Sequence, residues 1–241
     1  MDPSQKPSAA VLDFLRAGIQ SLVAEIEREP AWRMLTDPAT PPALVQAVMA
    51  EIYAEIAAYQ PDVIEATVAV IGQFPRSLDP KTVRAMLVHQ AEEWDHGEMA
   101  ARDYAGLGRA EADVRRGPAT PTAFATAAFW RMLAHKRLPF AYLGAIYLFE
   151  GLTPLVTGTI KPHLVDRGFG TSTLEYIEFH STEDIRHAKV IDAMIRRVVD
   201  QYPGCAGEVM FGFEAFRHVY PLPGWRAAVA RALAGQSARV A

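Results

Sequence analysis

Several features that announce common functions are scarce in this chain. One cysteine, Cys205, stands among 241 residues. That excludes an intramolecular disulfide and fits a reducing compartment such as the cytoplasm. Basic residues are not in excess: 24 Lys and Arg face 28 Asp and Glu, a net charge of −4. Nothing therefore calls for nucleic acid, and no long charge run reads as a tail. No stretch approaches the ~18 consecutive apolar residues of a membrane span. The N-terminal Met-Asp-Pro-Ser-Gln-Lys-Pro-Ser has no apolar segment of signal-peptide type. Sustained period-two alternation is missing, as are repeats and low-complexity tracts. Histidine is also scarce, with seven in all and none before His89.

What is present is helical periodicity. Half of the residues are hydrophobic, enough for a sizeable core. Apolar residues recur at helical spacing over 8–28, beginning with Val11, Leu12, Leu15 and Ile19. Pro41 and Pro42 suit the first turn of a helix reaching Tyr59. A short apolar segment, Val63 to Phe74, follows Pro61. Asp79-Pro80 opens a longer helix to about Tyr104, ended by Gly106 and Gly108. Further helices are expected at 122–136, 139–158, 172–200, 206–219 and 224–234. Linkers are short, so one all-α domain over 1–241 is expected, with a bundle architecture.

Within this pattern lie three polar clusters on apolar faces. His180, Asp184 and His187 stand at i, i+4 and i+7. At about 100° per residue they fall near 0°, 40° and 340°, one narrow stripe. Ile177, Ile191, Met194 and Ile195 continue that stripe, so the polar trio faces the core. A buried carboxylate needs partners, and imidazoles beside a carboxylate form a ligand set for a divalent metal. Upstream, Glu93 and His96 have the i, i+3 spacing that bundle-borne di-iron sites use. His89 and Glu92 flank the same face. Between the clusters, Glu150 shares a face with Leu143, Ile146 and Tyr147. Pro154 cannot donate to the Glu150 carbonyl, so a kink or loosening is expected there.

The bland readings differ for each residue. An isolated inward Glu is commonly a salt-bridge partner, and an isolated inward His a satisfied core residue. Three clusters together, with few Lys or Arg beside them, favour a metal centre. Cys205 reads first as a passive loop residue and second as a nucleophile, and His135, His163 and His218 lack a carboxylate at ligand spacing. Tyr147 reads first as core packing and second as a redox or proton-relay group.

The order Glu93/His96, then Glu150, then His180-x3-Asp184-x2-His187 resembles the haem-oxygenase-like dimetal oxidases over residues 80–200. The resemblance implies an all-helical haem-oxygenase-like bundle. Its implied ligands are Glu93, His96, Glu150, His180, Asp184 and His187, with Glu150 as the bridge. The family's first-helix carboxylate matches Glu93, while His89 stands where some members carry Glu. Some members add a carboxylate from an earlier helix, for which Glu55 and Glu65 are candidates. Two iron ions, with manganese as an alternative, and O2 as co-substrate are implied. The implied outcomes on a small organic substrate are C–H activation, oxidative C–C cleavage or N-oxygenation. The alternatives are a ferritin-like iron protein and a metal-free, thiaminase-like member of the fold. No membrane or nucleic-acid partner is expected; a homodimer is compatible with the sequence.

Overall fold

In a computed structural model, residues 6–116 and 119–240 are described, side chains of 116 and 238–240 excepted. Twelve α-helices and one 3-10 turn (203–205) account for most of them. The helices are α1 (Pro7–Ile26), α2 (Pro30–Thr36), α3 (Pro42–Ile71), α4 (Pro80–Glu92), α5 (His96–Gly106) and α6 (Glu111–Arg116). They continue as α7 (Pro121–Lys136), α8 (Pro139–Val165), α9 (Thr171–His180), α10 (Asp184–Gln201), α11 (Ala206–Arg217) and α12 (Leu222–Val240).

Six of these helices begin on a proline. At a first helical position the missing N–H costs nothing and the fixed φ is already helical. Prolines inside helices behave differently from the sequence-based expectation. Pro61 does not divide α3, and Pro154 and Pro162 both lie within an unbroken α8. Packing along α3 and α8 outweighs the lost backbone bonds, since both helices are buried over much of their length.

The opposite happens where no proline stands. The single helix expected to Tyr104 is divided at residues 93–95, between α4 and α5. The one expected over 172–200 is divided at 181–183, between α9 and α10. Both interruptions fall among the candidate ligands. Two short helices, α2 and α6, were not expected at all.

Helix α8 is the axis of the domain and packs against α1, α9, α10 and α11. By length and composition it could cross a membrane, but here it is mostly buried as a core helix. It crosses α11 with backbones in contact. A Cβ at Gly144 would overlap the Val209 carbonyl, and one at Gly212 would overlap the Ala141 carbonyl. Any side chain at either position would push the helices apart. That crossing fixes the depth at which Glu150, nearly two turns beyond Gly144, enters the core.

Helix α9 is held from outside its own sequence. Leu174 leaves helical geometry (φ −130, ψ 15). The restarted backbone then finds an acceptor in buried Asp103 of α5, which takes the N–H groups of Glu175 (2.9 Å) and Tyr176 (2.8 Å). This is helix capping by a residue of a neighbouring helix.

Gly212→Ala should therefore lower stability by about 1–3 kcal/mol, the usual cost of overpacking. Urea unfolding of the two proteins measures it. Equal midpoints would show that the α8–α11 crossing has slack.

Candidate metal centre

The interruptions put ligands at helix ends. His96 opens α5, Asp184 opens α10, His180 closes α9, and Glu93 sits in the turn after α4. Together with His89, Glu150 and His187 they form one buried cluster, each under a tenth exposed.

Two imidazole pairs organise it. The rings of His89 and His187 lie 4.7 Å apart and those of His96 and His180 4.5 Å apart. Glu93 stands between the pairs. Its Oε2 is 2.6 Å from His96 Nδ1, while its Oε1 is 3.3 Å from His187 Nδ1 and 3.8 Å from His89 Nε2. Glu150 reaches His89 Nε2 at 3.1 Å and His187 Nδ1 at 3.4 Å. Two groups able to hold an ion result: His89, Glu93, Glu150 and His187, and Glu93, His96 and His180. Glu93, rather than Glu150, belongs to both. Asp184 lies beside them, 3.5 Å from His187 Nδ1.

Three of the four histidines are oriented from behind. His180 Nδ1–H donates to the Tyr176 carbonyl (2.6 Å), and the Tyr176 ring stacks on it at 3.8 Å. The Nε2 lone pair of neutral His180 therefore faces the cluster. Behind His187, Nε2–H donates to Glu92 (3.2 Å), which also accepts from Arg186 (3.0 Å). Gln90 donates to His89 Nδ1 (3.0 Å) and accepts from Thr67. A half-turn of the Gln90 amide would present its carbonyl to Nδ1–H and free Nε2 for an ion.

The electrostatics are those of a site short of positive charge. Burial raises Asp184 to about 7, with the neighbouring Glu150 and Glu93 charges adding to the rise. Burial resists ionisation of Glu93 too, but the imidazoles of His187 and His96 beside it outweigh that and hold its carboxyl well below the usual range. Burial opposes charge on His187 as well, yet Asp184, Glu150 and Glu93 push it up to about 12. His180 is lowered to about 4 by burial and by the neighbouring His96.

Do these residues fit a metal? Five buried atoms in the cluster have no hydrogen-bond partner: Glu93 Oε1, Glu150 Oε2, Asp184 Oδ1, His96 Nε2 and His187 Nδ1. Orphaned buried polar atoms are costly, and an ion is what carboxylate and imidazole donors of this kind accept. The donor set fits a divalent metal of the iron or manganese type.

Not every candidate joins the cluster. Glu55 is absent from the cluster and is bound to Arg231 at 2.7 Å. Glu65 is on the surface, paired with Arg131. Tyr147 is directed toward Arg16 and Asp192 rather than into the cluster. Glu92 is half-buried behind His187 and lies outside both groups. His89 is inside one, facing Glu150 directly. Cys205 is buried, its thiol pushed up to about 11 by burial, and it lines none of the cavities described here. Sequence reading missed Gln90, Thr67 and Tyr176. Tyr176 alone carried a signal, standing one helical turn before His180.

A small cavity touches Glu93, Glu150, His180 and Asp184. A larger, mainly apolar one lies beside it among Ile56, Tyr59, Leu152, Val156 and Tyr220. Thr153 and Tyr176 line both, so the apolar cavity (the tunnel) adjoins the cluster's own cavity across these two side chains.

Residues 65–220, more than half of the chain, match the family described as iron-containing redox enzymes. The chain belongs to that family. Among solved structures it is similar to a domain of unknown function with a haem-oxygenase-like fold from Shewanella denitrificans OS217. That likeness has 20% identity, covers 94% of this chain and 93% of the other, and has a TM-score of 0.75. It is also similar to a TenA homologue from Pseudomonas syringae pv. tomato DC3000, at 12% identity, 97% and 96% coverage and a TM-score of 0.72. These likenesses establish the haem-oxygenase-like fold. No curated protein matches the chain.

Protons and ions should compete here. His187 holds a proton in the metal-free cluster and must release it to bind a metal through Nδ1, so affinity should rise with pH. Titration with Mn(II), followed by electron paramagnetic resonance from about pH 6 to 8, tests this. An affinity independent of pH would remove His187 from the ligand set.

Proposed function

We propose that the protein is a non-haem dimetal oxidase or oxygenase, with iron as its metal and O2 as co-substrate, acting on a small organic molecule in the tunnel. One observation carries the reading: five unpartnered buried donor atoms converge on two ligand groups that share Glu93. One ion would be held by His89, Glu93, Glu150 and His187, the other by Glu93, His96 and His180, with Asp184 at hand. Bound iron supplies the electrons that activate O2.

The rest is done by the chain. Glu93 offers one oxygen to each imidazole pair and so sets their separation. The Tyr176 carbonyl and Glu92 keep a ring nitrogen of His180 and of His187 engaged, leaving the other toward the ions. Phe149, Tyr176 and Ile146 line the small cavity and limit water there. Three carboxylates, Glu93, Glu150 and Asp184, balance most of the charge of two divalent ions. The metal-free alternative would need a reactive thiol. Cys205, buried and held mainly as its thiol, gives that alternative no support.

Anaerobic loading with Fe(II), followed by metal analysis, should give close to two ions per chain and oxygen uptake on exposure to air. A single ion at saturation would remove the dimetal reading.

The variants should differ in kind. Glu93→Ala should lose both ions, because both groups need it. Glu150→Ala should keep one, held by Glu93, His96 and His180. If Glu93→Ala retained one ion and Glu150→Ala none, the sharing residue would be Glu150.

A further inference from the structure

The tunnel has a polarity of its own. Of the residues that line it, Glu55 is the sole charged one; no Lys, Arg or His takes part. No cation in its wall can pair with a carboxylate or phosphate. A buried anion in such a wall instead selects for a cation or a hydrogen-bond donor.

Glu55 is firmly held. Its Oε1 accepts from Thr120 (2.6 Å) and Arg231 (2.7 Å), and its Oε2 accepts from Thr122 (2.7 Å). The two oxygens are therefore unequal. Oε2 has a single neutral donor and lone-pair capacity left over. Arg231 is also shared, since it bonds Glu51 at 2.7 Å. Arg109, the other cation near Glu51, lines a separate outer pocket and no part of the tunnel. Opposite Oε2 stands Gly224. A Cβ there would lie 3.7 Å from Oε2 and meet nothing else within 4 Å. The missing side chain leaves Oε2 uncovered toward the tunnel.

We propose that the substrate is an apolar-bodied amine, its ammonium bound by Glu55 Oε2 and its hydrocarbon lying along the tunnel toward the metal cluster. The assignment rests on the tunnel being the substrate site of the function proposed above. It gives Glu55 a specificity role in place of the ligand role that the sequence suggested.

The test uses full-length, metal-free protein, so failure to load iron and failure of this inference are separate results. Octylamine, 1-octanol and octanoate are titrated by calorimetry at neutral pH, where the amine is protonated. Octylamine should bind about tenfold more tightly than 1-octanol, as a charged hydrogen bond implies, and octanoate should bind most weakly. Glu55→Gln keeps the shape, leaves the Arg231–Glu51 pair, and should bring octylamine down to the level of 1-octanol. Gly224→Ala leaves the charge in place but screens Oε2. It should weaken octylamine several-fold with little change for 1-octanol, and it decides the matter if Glu55→Gln does not fold. Octanoate binding more tightly than octylamine, or equal binding of amine and alcohol, would overturn the proposal. So would an amine preference that survives both variants, which would place the ammonium on the carboxylates of the metal cluster.

Discussion

Like charges brought out of water repel strongly, and three carboxylates, Glu93, Glu150 and Asp184, are brought together here with no lysine or arginine inserted among them. In metal-free protein the histidines supply what positive charge there is, which is why His187 holds its proton so far above the ordinary imidazole range. Hydrogen bonds do not complete the arrangement, since five donor and acceptor atoms remain without partners. A core of this kind persists only if the surrounding packing is strong enough to hold it. Much of the remaining architecture is understandable as that packing.

The contributions are specific. The glycine crossing of α8 and α11 fixes where Glu150 enters. Asp103, four helices earlier in the chain, caps the restarted end of α9 and so places both Tyr176 and His180. Around the tunnel, ion pairs tie the last helix to the body: Arg226 to Glu29 and Arg231 to Glu51 and Glu55. Each of these contacts supports either the cluster or the cavity beside it.

Much of this was legible because it depends on local periodicity. The inward stripe of His180, Asp184 and His187 and the Glu93-x-x-His96 spacing could be seen in the residues alone, as could the helical class. The helix breaks at 93–95 and 181–183 could not, because neither contains a proline or glycine to signal them. Conversely, Pro61 and Pro154 suggested breaks or kinks where long buried helices run on. Residues far apart in the chain were also beyond reach. Glu55 looked like a possible ligand until Thr120, Thr122 and Arg231 were seen to engage it. Tyr147 shares a helix with Glu150, but three residues of rotation direct it to Arg16 instead.

The two breaks have a mechanical meaning. A continuous helix is a stiff rod, in which ligands on successive turns keep fixed spacing. Here the chain on either side of each break is a separate short rod joined by three turn residues. The turns are themselves hydrogen-bonded, Glu93 N–H to the His89 carbonyl across the first and Glu183 N–H to the Phe179 carbonyl across the second, so each break redirects the chain without freeing it. Each imidazole pair is thus aimed by the directions of two short rods, while Glu150 projects from a single unbroken one. The centre is built as one straight post facing two angled arms.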